Sequence, residues 1–161
     1  MPALFALATS VGVLAVAATW LFFVPLAATD LQVWQAFIAW GCYYHSGGKP
    51  AGGITTVLCM SFGAAVGLGS FLLNDQIGAL GQFSAPVAVG IGAAVICLAS
   101  SISFLKTIPA SVYGFASIAG LALLKPGITP VNALLPTIAS VVIGALFGYV
   151  SEVVAGALTK K

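Results

Sequence analysis

Charged side chains are scarce in this chain of 161 residues, which carries five lysines, no arginine and three acidic residues. These make up 5% of the sequence, and 61% is apolar, whereas a water-soluble domain has about 25% charged and about 45–50% apolar residues. Such a chain cannot cover a surface that faces water, so we expect lipid around most of it. The few lysines form no basic stripe, which excludes a nucleic-acid partner.

Residue types that serve catalysis and metal binding are scarce as well. The chain has one histidine, and its three cysteines, Cys42, Cys59 and Cys97, stand singly in apolar runs without C-x-x-C spacing. This pattern excludes a zinc site and a disulfide framework. Neither a P-loop nor a G-x-S-x-G or H-E-x-x-H motif occurs. We therefore expect no catalytic residue, no metal, no cofactor and no enzymatic activity.

Six apolar segments follow one another, separated by glycine, proline, asparagine, aspartate and lysine. They are 3–27, 31–45, 52–73, 84–105, 109–124 and 131–157. A helix of about 20 residues crosses a hydrocarbon core of about 30 Å, so six helices are the most that this length can hold. The first segment lacks the basic residues of a signal peptide. The sequence predicts an all-α polytopic protein with six transmembrane helices in a single transmembrane domain, 1–161.

The lysines in the short loops predict the orientation of these helices. With both termini in the cytoplasm, Lys49, Lys106, Lys160 and Lys161 lie inside and only Lys125 lies outside. Lysine is enriched in cytoplasmic loops of membrane proteins. We therefore expect a multi-pass protein with two cytoplasmic termini.

The two halves of the sequence share three features. An aromatic residue precedes glycine in segments two and five, both segments end at a lysine–proline step, and segments three and six carry two glycines four residues apart. The residues are Trp40-Gly41 and Tyr113-Gly114, Lys49-Pro50 and Lys125-Pro126, and Gly63, Gly67, Gly144 and Gly148. One interpretation is a duplication into two inverted three-helix repeats, 3–73 and 84–157; the other is coincidence among glycine-rich helices.

Segments two and five are the shortest, and each ends at a glycine- or proline-containing break. Interrupted helices at corresponding positions of two halves point to a solute site in a transporter, because broken backbone within the bilayer must line a cavity. One interpretation is that the breaks after Tyr44 and Leu124 line a shared polar crevice. The alternative is that both are ordinary turns at the membrane surface.

Small residues recur at four-residue spacing on two predicted helices. The third carries Cys59, Gly63 and Gly67, and the sixth carries Ser140, Gly144 and Gly148, followed by Glu152. Small side chains allow helices in lipid to approach closely. We expect these two helices to pack against each other or against a neighbouring subunit, in preference to lining a pore.

Ionisable residues near the helix ends each have two interpretations. Glu152 is a proton or cation site, or its carboxylate reaches the headgroup layer. His45, beside Tyr43 and Tyr44, is a pH-sensitive gate, or a member of the aromatic belt. The turns at 47–53 and 125–127 each present a lysine before a helix begins, which suits a small anion or weak acid.

Several motifs together resemble a known family. They are Trp34-Gln35-Ala36-Phe37 leading to Gly41, the turn Gly47-Gly48-Lys49, Ser103-Phe104-Leu105 with Ile108-Pro109-Ala110, and Leu135-Pro136 running to Gly144-Ala145-Leu146-Phe147-Gly148-Tyr149. The chain resembles the YcdZ-like bacterial inner-membrane proteins, the domain of unknown function 1097 family. The resemblance implies a bacterial inner-membrane location and several helices, and it supplies neither a substrate nor catalytic residues.

These observations favour a small channel or facilitator, a homo-oligomer in the lipid bilayer, for a small neutral or weakly acidic solute. The scarcity of intramembrane charge argues against an ion-coupled pump. The residues predicted to contribute to the solute pathway are Trp40, His45, Lys49, Thr55, Thr56, Tyr113, Lys125 and Glu152. The alternative is a non-transporting membrane subunit that scaffolds or stabilises a larger complex.

Overall fold

The computed structural model describes residues 1–159, which form six α-helices and no β-strand. The helices are α1 Ala3–Phe23, α2 Val33–His45, α3 Lys49–Gln76, α4 Ser84–Ala99, α5 Ile108–Leu124 and α6 Pro130–Thr159. Two short 3-10 helices, Gly78–Phe83 and Ser103–Leu105, lie before α4 and α5. The prediction of an all-α fold is confirmed.

Four of the helices are long and apolar enough to cross a membrane: α1, α3, α4 together with the 3-10 turn before it, and α6. Helix α5 is apolar but has 17 residues, and α2 has 13. At about 1.5 Å per residue these two are about 26 and about 20 Å long, against a hydrocarbon core of about 30 Å. The apolar helices indicate a membrane protein.

Several predicted segment boundaries differ from the helices by two to six residues. Helix α1 ends at Phe23, four residues earlier than expected, and two other differences have a local cause. Helix α3 begins at Lys49, three residues earlier than expected, because Pro50 lies in its first turn, where the missing N–H is not needed. Helix α4 ends at Ala99 although the apolar segment continues to 105. There the hydroxyls of Ser100 and Ser101 donate to the carbonyl oxygens of Cys97 and Leu98 and end the helix locally.

Helices α3 and α6 form the centre of the bundle and run antiparallel. The start of α3 meets the end of α6 where the Lys49 N–H contacts Glu152, and further along Met60 packs near Val141. Helices α1 and α2 pack mainly on α6, and α4 and α5 pack mainly on α3. Each half of the chain therefore buries its helices against the third helix of the other half.

Two glycines make the closest of these contacts possible. A Cβ added at Gly63 would overlap the carbonyl oxygen of Ser111 on α5, and one added at Gly144 would overlap that of Ala36 on α2. Gly144 lies 81 positions after Gly63, and Ser111 lies 75 positions after Ala36. The α2–α6 and α3–α5 contacts thus have matching registers.

The chain alternates between two ends of the bundle. Ser10 Oγ donates to the Ser151 carbonyl oxygen at 2.8 Å, so the first turns of α1 lie beside the last turns of α6. At the opposite end an ion pair of 2.7 Å between Lys125 Nζ and Asp30 Oδ1 joins the α1–α2 loop to the α5–α6 loop. The predicted cytoplasmic residues Lys160 and Lys161 lie outside the described residues.

Candidate functional site

A cluster of polar and aromatic side chains lies where α2 ends, α3 begins and α6 approaches its end. Glu152 on α6 accepts a hydrogen bond of 2.7 Å from the backbone N–H of Lys49 and a second from the hydroxyl of Tyr43. Its carboxylate lies at the N-terminus of α3, where the helix dipole favours negative charge. The chain's own carboxylate therefore occupies the place where the sequence suggested a bound anion.

Ser151 extends this cluster toward the interior. Its hydroxyl donates to the Gly148 carbonyl oxygen at 2.7 Å and accepts from Trp40 Nε1 at 2.9 Å. The Tyr44 hydroxyl lies 2.7 Å from Ser151 Oγ. Because Ser151 already donates its proton to Gly148, Tyr44 is the donor in this hydrogen bond. We call Trp40, Tyr43, Tyr44, Lys49, Ser151 and Glu152 the Glu152 cluster.

The residues predicted to contribute to the pathway do not meet in one place. Trp40, Lys49 and Glu152 belong to the Glu152 cluster. His45 is exposed, and its ring lies edge-on to that of Tyr113 with centroids 6.1 Å apart. Thr55 is half-buried on α3 and Thr56 is fully buried, whereas Lys125 lies at the other end of the bundle, paired with Asp30.

The prediction that the two helix breaks line one shared crevice is wrong. The break after Tyr44 lies beside Glu152, and the break after Leu124 lies beside Pro130 at the start of α6. These two positions are separated by 22 residues of helix, or about 33 Å. Helices α3, α4 and α5 connect the two breaks. Because three successive helices run from end to end of the bundle, the second break lies at the end opposite to the first.

The polar interior of the bundle centres on a residue that sequence reasoning did not assign to the pathway. Gln35 on α2 is fully buried, and its Nε2 donates to the Ser117 carbonyl oxygen at 2.9 Å and to Thr137 Oγ1 at 3.1 Å. Its Oε1, together with the hydroxyls of Ser117 and Thr56, has no hydrogen-bond partner among the described residues. The sequence did indicate the importance of Gln35, because an amide inside an apolar segment needs hydrogen-bond partners when it is buried.

A cavity with a partly polar lining opens at the Lys125 end of the bundle. Its volume is about 340 Å³. It is lined by Gln32, Trp34, Gly120, Leu121, Leu124, Lys125 and Pro126. Gln32 and Trp34 lie three positions and one position before Gln35 on the chain, and Gln35 itself is not among the lining residues. The Gln32 N–H donates to Ser140 Oγ at 3.0 Å and holds the start of α2 against α6.

The small-residue stripes lie at helix contacts within the chain. The third-helix stripe faces α5, since a Cβ at Gly67 would meet Ile118. The sixth-helix stripe faces α2, where Gly148 lies under the ring of Tyr43. Cys59 Sγ contacts the Phe104 carbonyl oxygen at 3.6 Å. Helices α3 and α6 pack against each other, as expected. Their small-residue stripes, however, face α5 and α2 and do not face each other.

No curated protein and no solved structure matches the chain. A family model described as "Protein of unknown function (DUF1097)" matches residues 8–156, which is almost the whole sequence. The chain therefore belongs to the DUF1097 family of proteins of unknown function.

Proposed function

We propose that the protein is a facilitator for a small solute that carries a hydrogen-bond donor and crosses the membrane in neutral form. The observation that carries this proposal is the Oε1 of Gln35, which lies in the interior of an apolar bundle and has no hydrogen-bond partner within residues 1–159. Leaving a buried acceptor unpaired costs about 1–3 kcal/mol, and a passing N–H or O–H group would recover that energy.

The neutral form is favoured because the charged side chains lie at the ends of the bundle. Lys125 and Asp30 pair at one end, and the Glu152 carboxylate accepts from the backbone N–H of Lys49 at the other. The groups near Gln35 are an amide, hydroxyls and backbone carbonyls. An ion at Gln35 would lack an adjacent counter-charge, and desolvating an ion without one is costly. Urea, ammonia and protonated formic or acetic acid have the required chemistry.

The membrane arrangement is part of the same proposal. The protein is a non-catalytic homo-oligomer in the bacterial inner membrane, with six membrane-embedded helices and both termini in the cytoplasm. Its halves, 3–73 and 84–157, are inverted repeats, which is supported by the exchange of helix partners and the matched glycine contacts. In this arrangement Gln35 lies near the interface of the repeats, where transporters of this kind bind their solutes.

Proteoliposomes containing the purified protein test the proposal with a panel of urea, ammonia, formate and acetate. Uptake of at least one solute should exceed that of protein-free liposomes. The rate for a weak acid should fall about tenfold per pH unit above its pKa, because only the protonated fraction crosses. If no member of the panel crosses faster than in protein-free liposomes, the facilitator proposal is wrong.

A second candidate is a non-transporting subunit of a larger membrane complex. It is favoured by glycines that no contact within the described part of the chain requires, since a Cβ at Gly12, Gly41, Gly69 or Gly90 would meet no described atom within 4 Å. Each costs helix stability relative to alanine, by about 1 kcal/mol, and in lipid such a surface admits a neighbouring helix. Purification in mild detergent separates the candidates. A stoichiometric foreign protein supports the subunit, and an oligomer of this chain alone supports the facilitator.

A further inference from the structure

An apolar groove lies on the surface of the bundle between the first turns of α3 and the second half of α6. Its volume is about 530 Å³, and its lining includes Pro50, Gly53 and Leu58 of α3 and Leu146 and Tyr149 of α6. Three of these side chains, Leu58, Leu146 and Tyr149, are exposed, so the groove is open on the side that faces lipid. Gln35 is not among its lining residues.

The length of the groove matches one leaflet of a bilayer. On α3 its lining runs from Pro50 to Leu58, eight residues or about 12 Å apart. On α6 it runs from Val142 to Tyr149, about 11 Å. Half of a hydrocarbon core of about 30 Å is about 15 Å. The groove therefore suits an acyl chain of one leaflet, whereas a transmembrane helix of a second copy would require a groove about twice as long.

Two side chains of opposite charge border one end of the groove. Lys49 directly precedes Pro50, is exposed, and forms no ion pair within residues 1–159. Glu152 accepts a hydrogen bond from the hydroxyl of Tyr43, which lines the groove. Charged side chains avoid hydrocarbon, so this end of the groove lies in the headgroup layer. A headgroup at this end meets a cation and an anion together.

The backbone of Lys49 has a conformation that lysine rarely adopts. Its φ of 57° lies in the left-handed region, where glycine and asparagine are less strained. The two residues before it, Gly47 and Gly48, also have positive φ. A glycine at position 49 would relieve this strain, and binding of a ligand by the ammonium group accounts for the presence of a lysine there.

Glu152 has an oxygen that can accept a further hydrogen bond. Its Oε2 accepts from the Lys49 N–H and from the Tyr43 hydroxyl, whereas Oε1 accepts none within the described part of the chain. A positively charged N–H donor makes a strong hydrogen bond to a carboxylate. A primary ammonium group is such a donor, whereas a quaternary ammonium has no N–H and a glycerol headgroup has no positive charge.

We infer that the groove binds a phospholipid with a primary ammonium headgroup, of the phosphatidylethanolamine class. One acyl chain lies along the apolar lining, the phosphate pairs with the Lys49 ammonium, and the headgroup ammonium donates to Glu152 Oε1. The opposite charges of Lys49 and Glu152 match the two charges of this headgroup and account for the preference over an anionic lipid. The inference is independent of solute transport.

Native mass spectrometry of the full chain, delipidated in detergent and then given one lipid at a time, tests this inference. The probes are phosphatidylethanolamine, phosphatidylcholine and phosphatidylglycerol with identical acyl chains. We expect phosphatidylethanolamine to bind at least about fivefold more tightly than either of the others. Glu152→Gln keeps an acceptor for the Lys49 N–H and the Tyr43 hydroxyl and should abolish this preference. Lys49→Asn, which suits a positive φ, should weaken binding of all three lipids at least about fivefold.

A groove-filling variant tests the position of the acyl chain. A Cβ at Gly53 meets only the Tyr43 ring, at 3.5 Å, so the side chain of Gly53→Leu extends into the groove and should weaken phosphatidylethanolamine binding at least about fivefold. Gly90→Leu is the matched control, because it adds the same side chain where a Cβ meets no described atom, and it should leave binding unchanged. Leu146→Trp narrows the groove from its exposed wall and replaces Gly53→Leu if that variant does not fold.

Three results would overturn the inference. Equal affinity for the three lipids would indicate non-selective contact with the bilayer. Equal phosphatidylethanolamine binding by wild type and by a folded groove-filling variant would place the lipid elsewhere. A dimer of the delipidated chain that is lost in a folded groove-filling variant would show that the groove holds a second copy.

Discussion

The two halves of the molecule share one packing frame and differ in the side chains that the frame encloses. Helix α2 carries Gln35 and Tyr44, whereas the corresponding positions of α5 hold Ala110 and Ala119. The α2–α6 side of the bundle therefore has a buried amide and an aromatic ring against Ser151, and the α3–α5 side has an apolar contact and an open cavity beside Ala119. Glycine contacts maintain the frame on both sides, and the side chains that it encloses differ.

The largest expected effect concerns the shared frame. Gly63→Ala and Gly144→Ala each place a Cβ onto a backbone carbonyl oxygen, so each should destabilise the bundle by about 3 kcal/mol or more. We expect loss of the monodisperse peak in detergent gel filtration for both. Gly90→Ala is the control, because its Cβ meets nothing and alanine favours the helix. If either Gly63→Ala or Gly144→Ala elutes as wild type does, the two glycine contacts are not equivalent.

A smaller effect should distinguish the two serines at corresponding positions. Ser151→Ala leaves the N–H of Trp40 and the O–H of Tyr44 without an acceptor and should cost about 1–3 kcal/mol. Ser70→Ala removes only a bond to the carbonyl of its own helix and should cost less than about 0.5 kcal/mol. Unfolding in a denaturing-detergent titration measures both. Equal losses would contradict the asymmetry.

The smallest effect concerns the two threonines at corresponding positions. Thr137→Val removes an acceptor for Gln35 Nε2 and should destabilise the protein by about 0.5–1.5 kcal/mol. Thr56→Val replaces a buried hydroxyl beside the Cys42 thiol that has no nitrogen or oxygen partner among the described residues, so the loss of stability should be smaller than that of Thr137→Val. The same titration checks both variants. A clear loss of stability in Thr56→Val would show that its hydroxyl has a partner.

Composition and segment length predicted the helices because helices in lipid depend on local apolar content. All six helices begin within three residues of the predicted starts, and α1 and α4 end four and six residues before the predicted ends. The partners of the glycine stripes were not predictable in this way. Gly63 faces α5 and Gly144 faces α2 only because the halves exchange helices, which is a property of the whole bundle.

The candidate site shows the same limit. The ionisable residues were conspicuous in an apolar sequence, and Glu152 does anchor a polar cluster. The identity of its partners depends on where the α2–α3 turn meets α6, which no local pattern encodes. Gln35 was overlooked because its amide is neutral and the sequence reasoning centred on ionisable residues. A buried amide nevertheless needs hydrogen-bond partners, as a buried ionisable group does.

The most direct test of the account is the rate of urea uptake into proteoliposomes for wild type and Gln35→Met at equal incorporation. Methionine keeps the length of the side chain and removes its amide, that is, the oxygen together with the nitrogen that bonds Ser117 and Thr137. The account predicts that wild type exceeds protein-free liposomes and that folded Gln35→Met loses about nine-tenths of that excess, with partial recovery in Gln35→Asn. Equal rates for wild type and a folded Gln35→Met would contradict the account.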